Sequence, residues 1–238
     1  MAKLSGQKLY VGKIDLSAVA YDVNWTMGVE TPPDADFADT AAVVMAGLNT
    51  AQISGNARYT TGASGTDQLL SVGNGTLIGP VSLVFGSVEG DAAFSVESFQ
   101  SNYSTATGAA GDKHQVAWAT VPGGDLVIGQ LLALQTAATT SGNSTGLDLD
   151  VLAAGYRMYS ILHVVSGSGG NLTVELESDV ATWVSPVTRI THTVATGPTS
   201  QVLTLDGAVA TDDLWRSKWT ISAGTFSFIH VVGKMEVL

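Results

Sequence analysis

The residues of this chain best suited to chemistry are its four histidines. His163, His192 and His230 each lie in the middle of an apolar segment, in ILHVV, ITHTV and FIHVV respectively. Imidazoles on facing strands can hold a zinc ion, but the sequence has neither cysteine nor the tight His-x-His spacing that would support a ligand set. We therefore interpret them as histidines whose hydrogen bonds are satisfied within a sheet, and we predict no metal and no cofactor.

Serine and carboxylate patterns add no catalytic site. No G-x-S-x-G segment stands in the strand–turn–helix setting of a nucleophile elbow, so a hydrolase is the function that the sequence favours least. Glu175 and Glu177 are two residues apart, which places them on one face of a strand, and we expect that face to be solvated. The glycine-rich segments at 73–75 and 167–170 lack the lysine of a phosphate loop and read as hairpin turns. We predict that the protein is not an enzyme.

Three tryptophans leave one binding hypothesis open. Tryptophans exposed on a β-sandwich stack against sugars, and Trp183, Trp215 and Trp219 are the candidates for such glycan stacking. Trp215 and Trp219 are four residues apart, so both point to the same side of a strand. The alternative is that one or both belong to the core.

Charge is sparse and acidic, with 13% charged residues and a net charge of −11. Because nucleic acid is bound through lysine and arginine, this balance argues against a protein that binds nucleic acid sequence-specifically. Zero cysteines exclude a disulfide framework and fit synthesis in a reducing cytosol. No run approaches the ~20 apolar residues of a membrane span, and we see no signal peptide.

Period-two alternation of apolar and polar residues dominates the chain and predicts an all-β fold. In Ala51–Tyr59, for example, Ile53, Gly55 and Ala57 share one face of a strand. One short helix is predicted at Thr66–Val72, where Thr66 is suited to the N-cap and Gly73 ends the segment. The remaining predicted strands are Leu9–Val11, Ala20–Thr26, Val81–Phe85, Ala92–Asn102, His114–Val121, Ser160–Val165, Leu172–Glu177, Val187–Val194, Gln201–Leu205, Trp215–Ile221 and Ser227–Val232.

We predict two domains separated by a linker. The uncharged stretch of small residues at 135–146, QTAATTSGNSTG, resembles a linker in composition. Residues 1–134 then form a β-sandwich or barrel with one short helix. Residues 147–238 carry about seven short strands, which is typical of an immunoglobulin-like or jelly-roll β-sandwich.

The stretch from Phe37 to Tyr59, together with the acidic, proline-containing segment before it, has the least chemistry in the chain. Two consecutive prolines cannot donate to a sheet, so Gly28–Asp39 is a loop. We interpret Gly28–Ala46 as a contact arm that leads into the strand Ala51–Tyr59. The predicted oligomer-contact residues are Thr31, Pro32, Pro33, Asp34, Asp36, Phe37, Asp39, Val43 and Met45.

The N-terminal half resembles the major tail (tail tube) proteins of long-tailed bacteriophages. The resemblance rests on KLYVGKIDLS near the start, the acidic proline-containing loop, DTAAVVMAGLNTAQISGNARY and the closing strand HQVAWATV. Gly47-Leu48-Asn49-Thr50 stands where the family has a turn similar to Gly-Leu-Lys-Asp. The C-terminal half looks like an immunoglobulin-like appendage of the kind that some phage tail proteins carry.

This resemblance implies a tail-tube-like β domain whose copies form hexameric rings, stacked into a tube. Inner strands would line a lumen, and the long loop would reach a neighbouring subunit. The implied partners are the protein itself, the tape-measure protein, other tail proteins and transiting DNA, bound without sequence specificity. The implied location is the virion tail, after synthesis in the host cytoplasm. Alternatives are a capsid decoration or fibre protein, or a carbohydrate-binding module that contacts host surface glycans.

Overall fold

The computed structural model describes residues 6–29, 49–60, 70, 77–106, 114–180 and 182–237. Regular structure in these residues is strand, except at Leu70, which is helical and buried, so the predicted all-β fold is confirmed. None of the described helical structure is long and apolar enough to cross a bilayer. The strands are β1 (Lys8–Val11), β2 (Ile14–Asp15), β3 (Ala20–Val29), β4 (Asn49–Arg58), β5 (Leu77–Val84), β6 (Ala92–Ala106), β7 (Gln115–Ala138), β8 (Gly142–Asn143), β9 (Leu147–Asp148), β10 (Tyr156–Ser168), β11 (Leu172–Asp179), β12 (Val187–Thr191), β13 (Thr199–Asp206), β14 (Leu214–Ile221) and β15 (Thr225–Glu236).

The chain forms two compact units that interleave along the sequence. Unit 1 comprises Met1–Ala18, Ile78–Ser95 and Val127–Leu238, and unit 2 comprises Val19–Leu77 and Val96–Leu126. This arrangement differs from the predicted division at 134 and 147. The C-terminal strands do not form a separate sandwich, because they share unit 1 with the N-terminal strands β1, β2 and β5.

The predicted linker at 135–146 is part of the folded unit 1. Its first residues complete β7, and Gly142–Asn143 form β8, which pairs with β14. The small polar residues here bond to β14: the Trp219 indole N–H donates to the Thr140 carbonyl at 3.1 Å, and the Ile221 N–H donates to Ser141 Oγ at 2.9 Å. Composition suggested a linker because serine and threonine are common in loops. The same side chains can also hydrogen-bond to the backbone of a neighbouring strand, as Ser141 does here.

Unit 1 contains two sheets that pack face to face. In the larger sheet the strands of this unit follow the order β13-β10-β15-β7-β6-β5-β1-β2, and the smaller sheet has the order β12-β11-β14-β8, with β9 also paired to β14. Between them lie clusters that include Leu162 and Phe228 of the larger sheet and Val174 and Trp219 of the smaller one. The sheets also meet at their edges, where the Gln201 side-chain amide on β13 accepts from the Thr193 N–H and donates to the Thr193 carbonyl, each at 2.8 Å.

The central strands of unit 1 are covered on both faces. On the side away from the smaller sheet, a second apolar cluster joins Ile161 and Ile229 to Tyr10 and Val84 of β1 and β5. Ser160–Val164 of β10 and Phe228–Gly233 of β15 are therefore buried at every residue. A strand buried on both faces reads as a continuous apolar run, which explains the segments SILHVV and SFIHVV.

Unit 2 is an open antiparallel sheet with two different faces. β3 pairs with β4, β4 pairs with Gln115–Ala119 of β7, and β6 is the next neighbour of β7. Ala51, Ile53, Gly55 and Ala57 are buried on β4 while Gln52 and Arg58 are exposed, which confirms the predicted alternation. The predicted helix at Thr66–Val72 lies outside the described residues except for Leu70.

We expect a fragment of residues 147–238 not to fold by itself. β7 lies between β15 and β6, and its residues Leu131, Leu132 and Ala133 each belong to a different apolar cluster among the described residues of unit 1. Without β7, strand β15 loses a ladder partner and apolar surface on both of its faces. Amide NMR spectra of the fragment should show the narrow dispersion of an unfolded chain. A dispersed spectrum together with cooperative urea unfolding would contradict this expectation.

Candidate functional site

His163 connects β10 to the turn between β1 and β2 in unit 1, and it is fully buried. Its Nδ1 lies 2.6 Å from the Gly12 carbonyl oxygen, and because a carbonyl only accepts, Nδ1 carries the proton. Nε2 therefore accepts from the Ser82 hydroxyl at 2.8 Å, and Ser82 Oγ accepts from Ser95 at 2.7 Å. The imidazole is neutral, and its partners are all internal to the protein.

A second serine–histidine chain joins the two sheets of unit 1. Ser160 Oγ on β10 lies 2.7 Å from Nε2 of His230 and 2.8 Å from Nε2 of His192. His230 Nδ1 lies 2.9 Å from Oγ of Ser217 on β14. The two imidazoles stand perpendicular to each other with ring centres 5.4 Å apart. The bonds thus run from the larger sheet to the smaller one.

Burial keeps these three histidines neutral. It lowers the pKa of His163 and of His192 to about 4, and it lowers the pKa of His230 well below its usual value, with the nearby His192 adding to the effect. His163 and His230 are hydrogen-bonded at both ring nitrogens, as the sequence interpretation expected, although they lie in the interior and not at a core edge or surface. His192 is bonded through Nε2, but its buried Nδ1 has no hydrogen-bond partner among the described residues. Among the described residues, no three histidine or carboxylate side chains are grouped so as to hold a metal ion.

Trp215 and Trp219 lie inside the sandwich of unit 1. Their exposed fractions are 0% and 7%, and their indole N–H groups donate to the carbonyls of Asp150 and Thr140, each at 3.1 Å. They share one face of β14, as their spacing predicts, but it is the face that packs against the larger sheet. The glycan-stacking hypothesis is therefore wrong for these two residues, because a sugar cannot reach their rings.

Trp183 lies in the loop between β11 and β12 and is half-buried. The guanidinium carbon of Arg216 stands 4.4 Å from the centre of its ring, a cation–π distance. Gly146 packs so closely that a Cβ there would lie 2.2 Å from Cζ2 of the indole. Arg216 thus occupies ring surface that a sugar would need.

Glu177 corrects the prediction of a solvated carboxylate pair. Its exposed fraction is 3%, and it accepts from Nε and Nη2 of Arg216 at 2.9 and 2.7 Å and from Nζ of Lys218 at 3.0 Å. Burial alone would raise its pKa, but the hydrogen bonds from Arg216 and Lys218 outweigh burial and lower it. Glu175 shares Lys218 at 3.1 Å. The pair fixes charge within the protein, and no substrate is needed to explain it.

Three strands of unit 2 present an accessible surface of consistent character, which we call the polar face. Register places Thr26 opposite Gln52 and Asn24 opposite Ser54, and it places Ser54 opposite Ala119. Amides, hydroxyls and alanines therefore lie side by side across three strands. The polar face comprises Asp22, Asn24, Thr26, Gln52, Ser54, Asn56, Arg58, Gln115, Ala117 and Ala119.

Charge on the polar face is low and balanced. Its members include one acidic residue, Asp22, and one basic residue, Arg58. Asp22 Oδ2 accepts from the side-chain amide of Asn56 at 3.1 Å. Phe99 of β6 packs against Gly123 of β7, where a Cβ would lie 2.5 Å from Cε2 of the phenyl ring.

The reverse face of unit 2 is mostly buried and closely packed. Trp118 covers Gly55, where a Cβ would lie 3.3 Å from the indole and 2.4 Å from the Asp22 carbonyl. Thr120 Oγ1 donates to the Ile53 carbonyl at 3.1 Å and so fastens β7 to β4. Glycine at position 55 is required by this close approach.

The predicted contact arm lies outside the described residues. Gly28 and Val29 belong to β3, and the described chain resumes at Asn49 in β4. The assignment of the contact residues remains a prediction from sequence. The residues concerned are Thr31, Pro32, Pro33, Asp34, Asp36, Phe37, Asp39, Val43 and Met45.

Comparison with known proteins gives one solved structure to report. The chain is similar to the SPP1 Dit (gp 19.1) protein, described as a paradigm of the hub adsorption apparatus in phages that infect Gram-positive hosts. The identity is 15% and the TM-score 0.36, over 96% of this chain and 99% of that chain. No protein-family model matches the chain, and no curated protein matches it.

Arg216→Leu should destabilise unit 1 by about 2–4 kcal/mol, because it removes two hydrogen bonds from a buried carboxylate and the cation over Trp183. Arg157→Leu is the matched control. Arg157 also pairs with an aspartate, Asp206, but that pair is exposed and screened by solvent, so its loss should destabilise the protein much less. Urea unfolding at pH 7.5 measures both values, and equal costs would contradict the structural role of Arg216.

Proposed function

We propose that this chain is a structural protein of a bacteriophage virion, the subunit of a tail tube in which stacked hexameric rings surround a DNA conduit. The observation that carries the proposal is the polar face of unit 2, an open β-surface with balanced charge in a protein of net charge −11. The resemblance of the N-terminal half to major tail proteins agrees with it.

A conduit wall must let a polyanion pass without holding it. Lysine and arginine on the wall would bind phosphates and release counter-ions, which makes association strong at low salt. A dense acidic wall would instead raise the electrostatic cost of entry. Asn24, Gln52 and Ser54 do neither, because amides and hydroxyls carry no net charge and stay hydrated.

The internal chemistry of unit 1 also fits a structural role. The Ser160–His230 and Ser82–His163 pairs contain the groups of a hydrolase, but all four side chains are fully buried. Arg189 is likewise bound to the buried Asp212, at 2.8 Å. Reactive groups among the described residues of unit 1 thus serve to fasten one strand to another.

Ring assembly would use the contact arm. A contact between different surfaces of identical subunits closes when the rotation returns to its start and propagates when it does not. Both modes are needed in a tube, the first within a ring and the second along the axis. Gly28–Ala46 is our candidate for one of these contacts, and its ordering on assembly would follow the pattern of segments that fold on binding.

Electron microscopy of the purified protein should show rings or tubes. Deletion of Thr31–Ala42 should leave a folded monomer that does not polymerise, with thermal unfolding as the control for folding. Unimpaired polymerisation would remove the arm from the proposal. Localisation of the protein to a capsid or fibre within a virion would overturn the tail-tube assignment and favour the alternative virion role.

Positive charges introduced into the polar face should cause DNA to bind inside the tube. Asn24→Lys with Gln52→Lys adds two cations to adjacent strands of this face, whereas Thr188→Lys with Thr220→Lys adds two at exposed positions of unit 1. Both variants should bind short duplex DNA at low salt. We expect DNA bound by the first variant to resist nuclease and DNA bound by the second to be digested. Equal digestion would show that the polar face is not the lumen.

A further inference from the structure

The two serine–histidine chains of unit 1 share one design. The first contains one neutral imidazole and the second contains two, all with no exposed surface or almost none, and each chain joins elements that are distant in sequence. His163 ties β10 to Gly12, and the His192–Ser160–His230–Ser217 chain ties β10 and β15 to β14. The first chain thus fastens β10 to the turn between β1 and β2, and the second fastens the larger sheet to the smaller one.

Protonation is poorly tolerated in both chains. A second proton on His163 would place an N–H against the Ser82 hydroxyl that now donates to it, so Ser82 and Ser95 would have to reverse their hydrogen bonds. A proton on His230 would likewise reverse a serine contact, and it would face His192 at a ring separation of 5.4 Å. Two imidazolium ions at that distance repel each other strongly.

Among the described residues, the groups that contact the three buried imidazoles carry no negative charge. His163 meets the Gly12 carbonyl, the Ser82 hydroxyl and, at 5.6 Å, the ring of Tyr10. His230 meets Ser160, Ser217 and His192, while His192 meets Ser160, His230 and the amide of Gln201. Hydroxyls, a carbonyl and an amide cannot balance a buried cation as a carboxylate would.

We propose that the two serine–histidine chains form an acid-sensitive latch, which holds unit 1 closed at neutral pH and releases it in mildly acidic solution while unit 2 stays folded. Release frees the Gly12 turn from β10 and separates the two sheets. Unit 2 contains His114, which is exposed, and none of the three buried histidines. The latch is independent of the proposed tail function.

The sign of the effect follows from proton linkage. An unfolded histidine has a pKa near 6.5, and the folded values are lower, so below about pH 6.5 the unfolded chain binds protons that the folded chain excludes. The contribution of these histidines to the free energy of unfolding is fully present above this pH and is lost as the pH is lowered. Glu177, Asp206 and Asp212 also have lowered pKa values, but unfolded carboxyls titrate near pH 4, so the window from pH 5 to 6.5 reports the histidines.

The test is the pH dependence of unfolding in urea, followed by hydrogen exchange with mass spectrometry so that each unit is observed separately. The unfolded chain binds three protons that folded unit 1 excludes. The unfolding equilibrium constant of unit 1 should therefore rise by up to about a thousandfold for each unit by which the pH is lowered. In His163→Asn and in His230→Gln, about one proton fewer should be taken up on unfolding. The change in the unfolding equilibrium constant per pH unit should then be about tenfold smaller in each variant. His114→Gln is the matched control and should leave it unchanged.

Two results would overturn the latch. One is a dependence of fewer than two protons in the unchanged protein, and the other is a dependence that neither buried-histidine variant alters. If a variant fails to fold, NMR of the imidazole C2 protons in the unchanged protein decides the matter. The latch requires three signals that do not titrate between pH 7.5 and 5 while the protein is folded, and a buried imidazole that titrates in that range would contradict it.

Discussion

The pairing of β10 with β15 is the interaction on which unit 1 depends. The register runs from Tyr156 opposite Glu236 to Ser168 opposite Thr225, with one irregularity between Val164 and Ser166. The central residues of both strands are buried on both faces, so their polar groups need partners inside the protein. The smaller sheet covers one face of these strands, and β1 and β5 cover the other. The serine–histidine chains and the Gly12 carbonyl supply the hydrogen-bond partners that the buried polar groups need.

Local alternation made much of the fold predictable. The buried and exposed faces of β4 and of the first part of β7 follow directly from period two, and so do the approximate bounds of the C-terminal strands. The continuation of β7 beyond Val121 did not follow. The predicted strand ends at Val121, before Pro122, Gly123 and Gly124, yet Gly123 lies in β7, where Phe99 of the neighbouring strand occupies the space of a side chain. Such a cross-strand reason is invisible in a local pattern.

The candidate sites show the same limit. Spacing placed Trp215 and Trp219 on one face of a strand and Glu175 and Glu177 on one face of another, and it did so correctly. It did not say whether each face is covered, and the two tryptophans and Glu177 are buried. The polar face of unit 2 is composed of residues from β3, β4 and β7, whose adjacency depends on pairings far apart in the sequence. In the sequence this face was visible only as the polar positions of each alternating strand, without any indication that the three strands are neighbours.

The contact between Gln201 and Thr193 has a consequence of its own. There a side-chain amide donates one hydrogen bond and accepts one, as a backbone peptide group of a paired strand does. A backbone peptide keeps this ability for the life of the protein, but a side-chain amide can be hydrolysed to a carboxylate. The product would hold only acceptor oxygens and would set a negative charge against the Thr193 carbonyl. Chemical ageing of a single glutamine would thus loosen the seam between the two sheets while leaving every peptide bond intact.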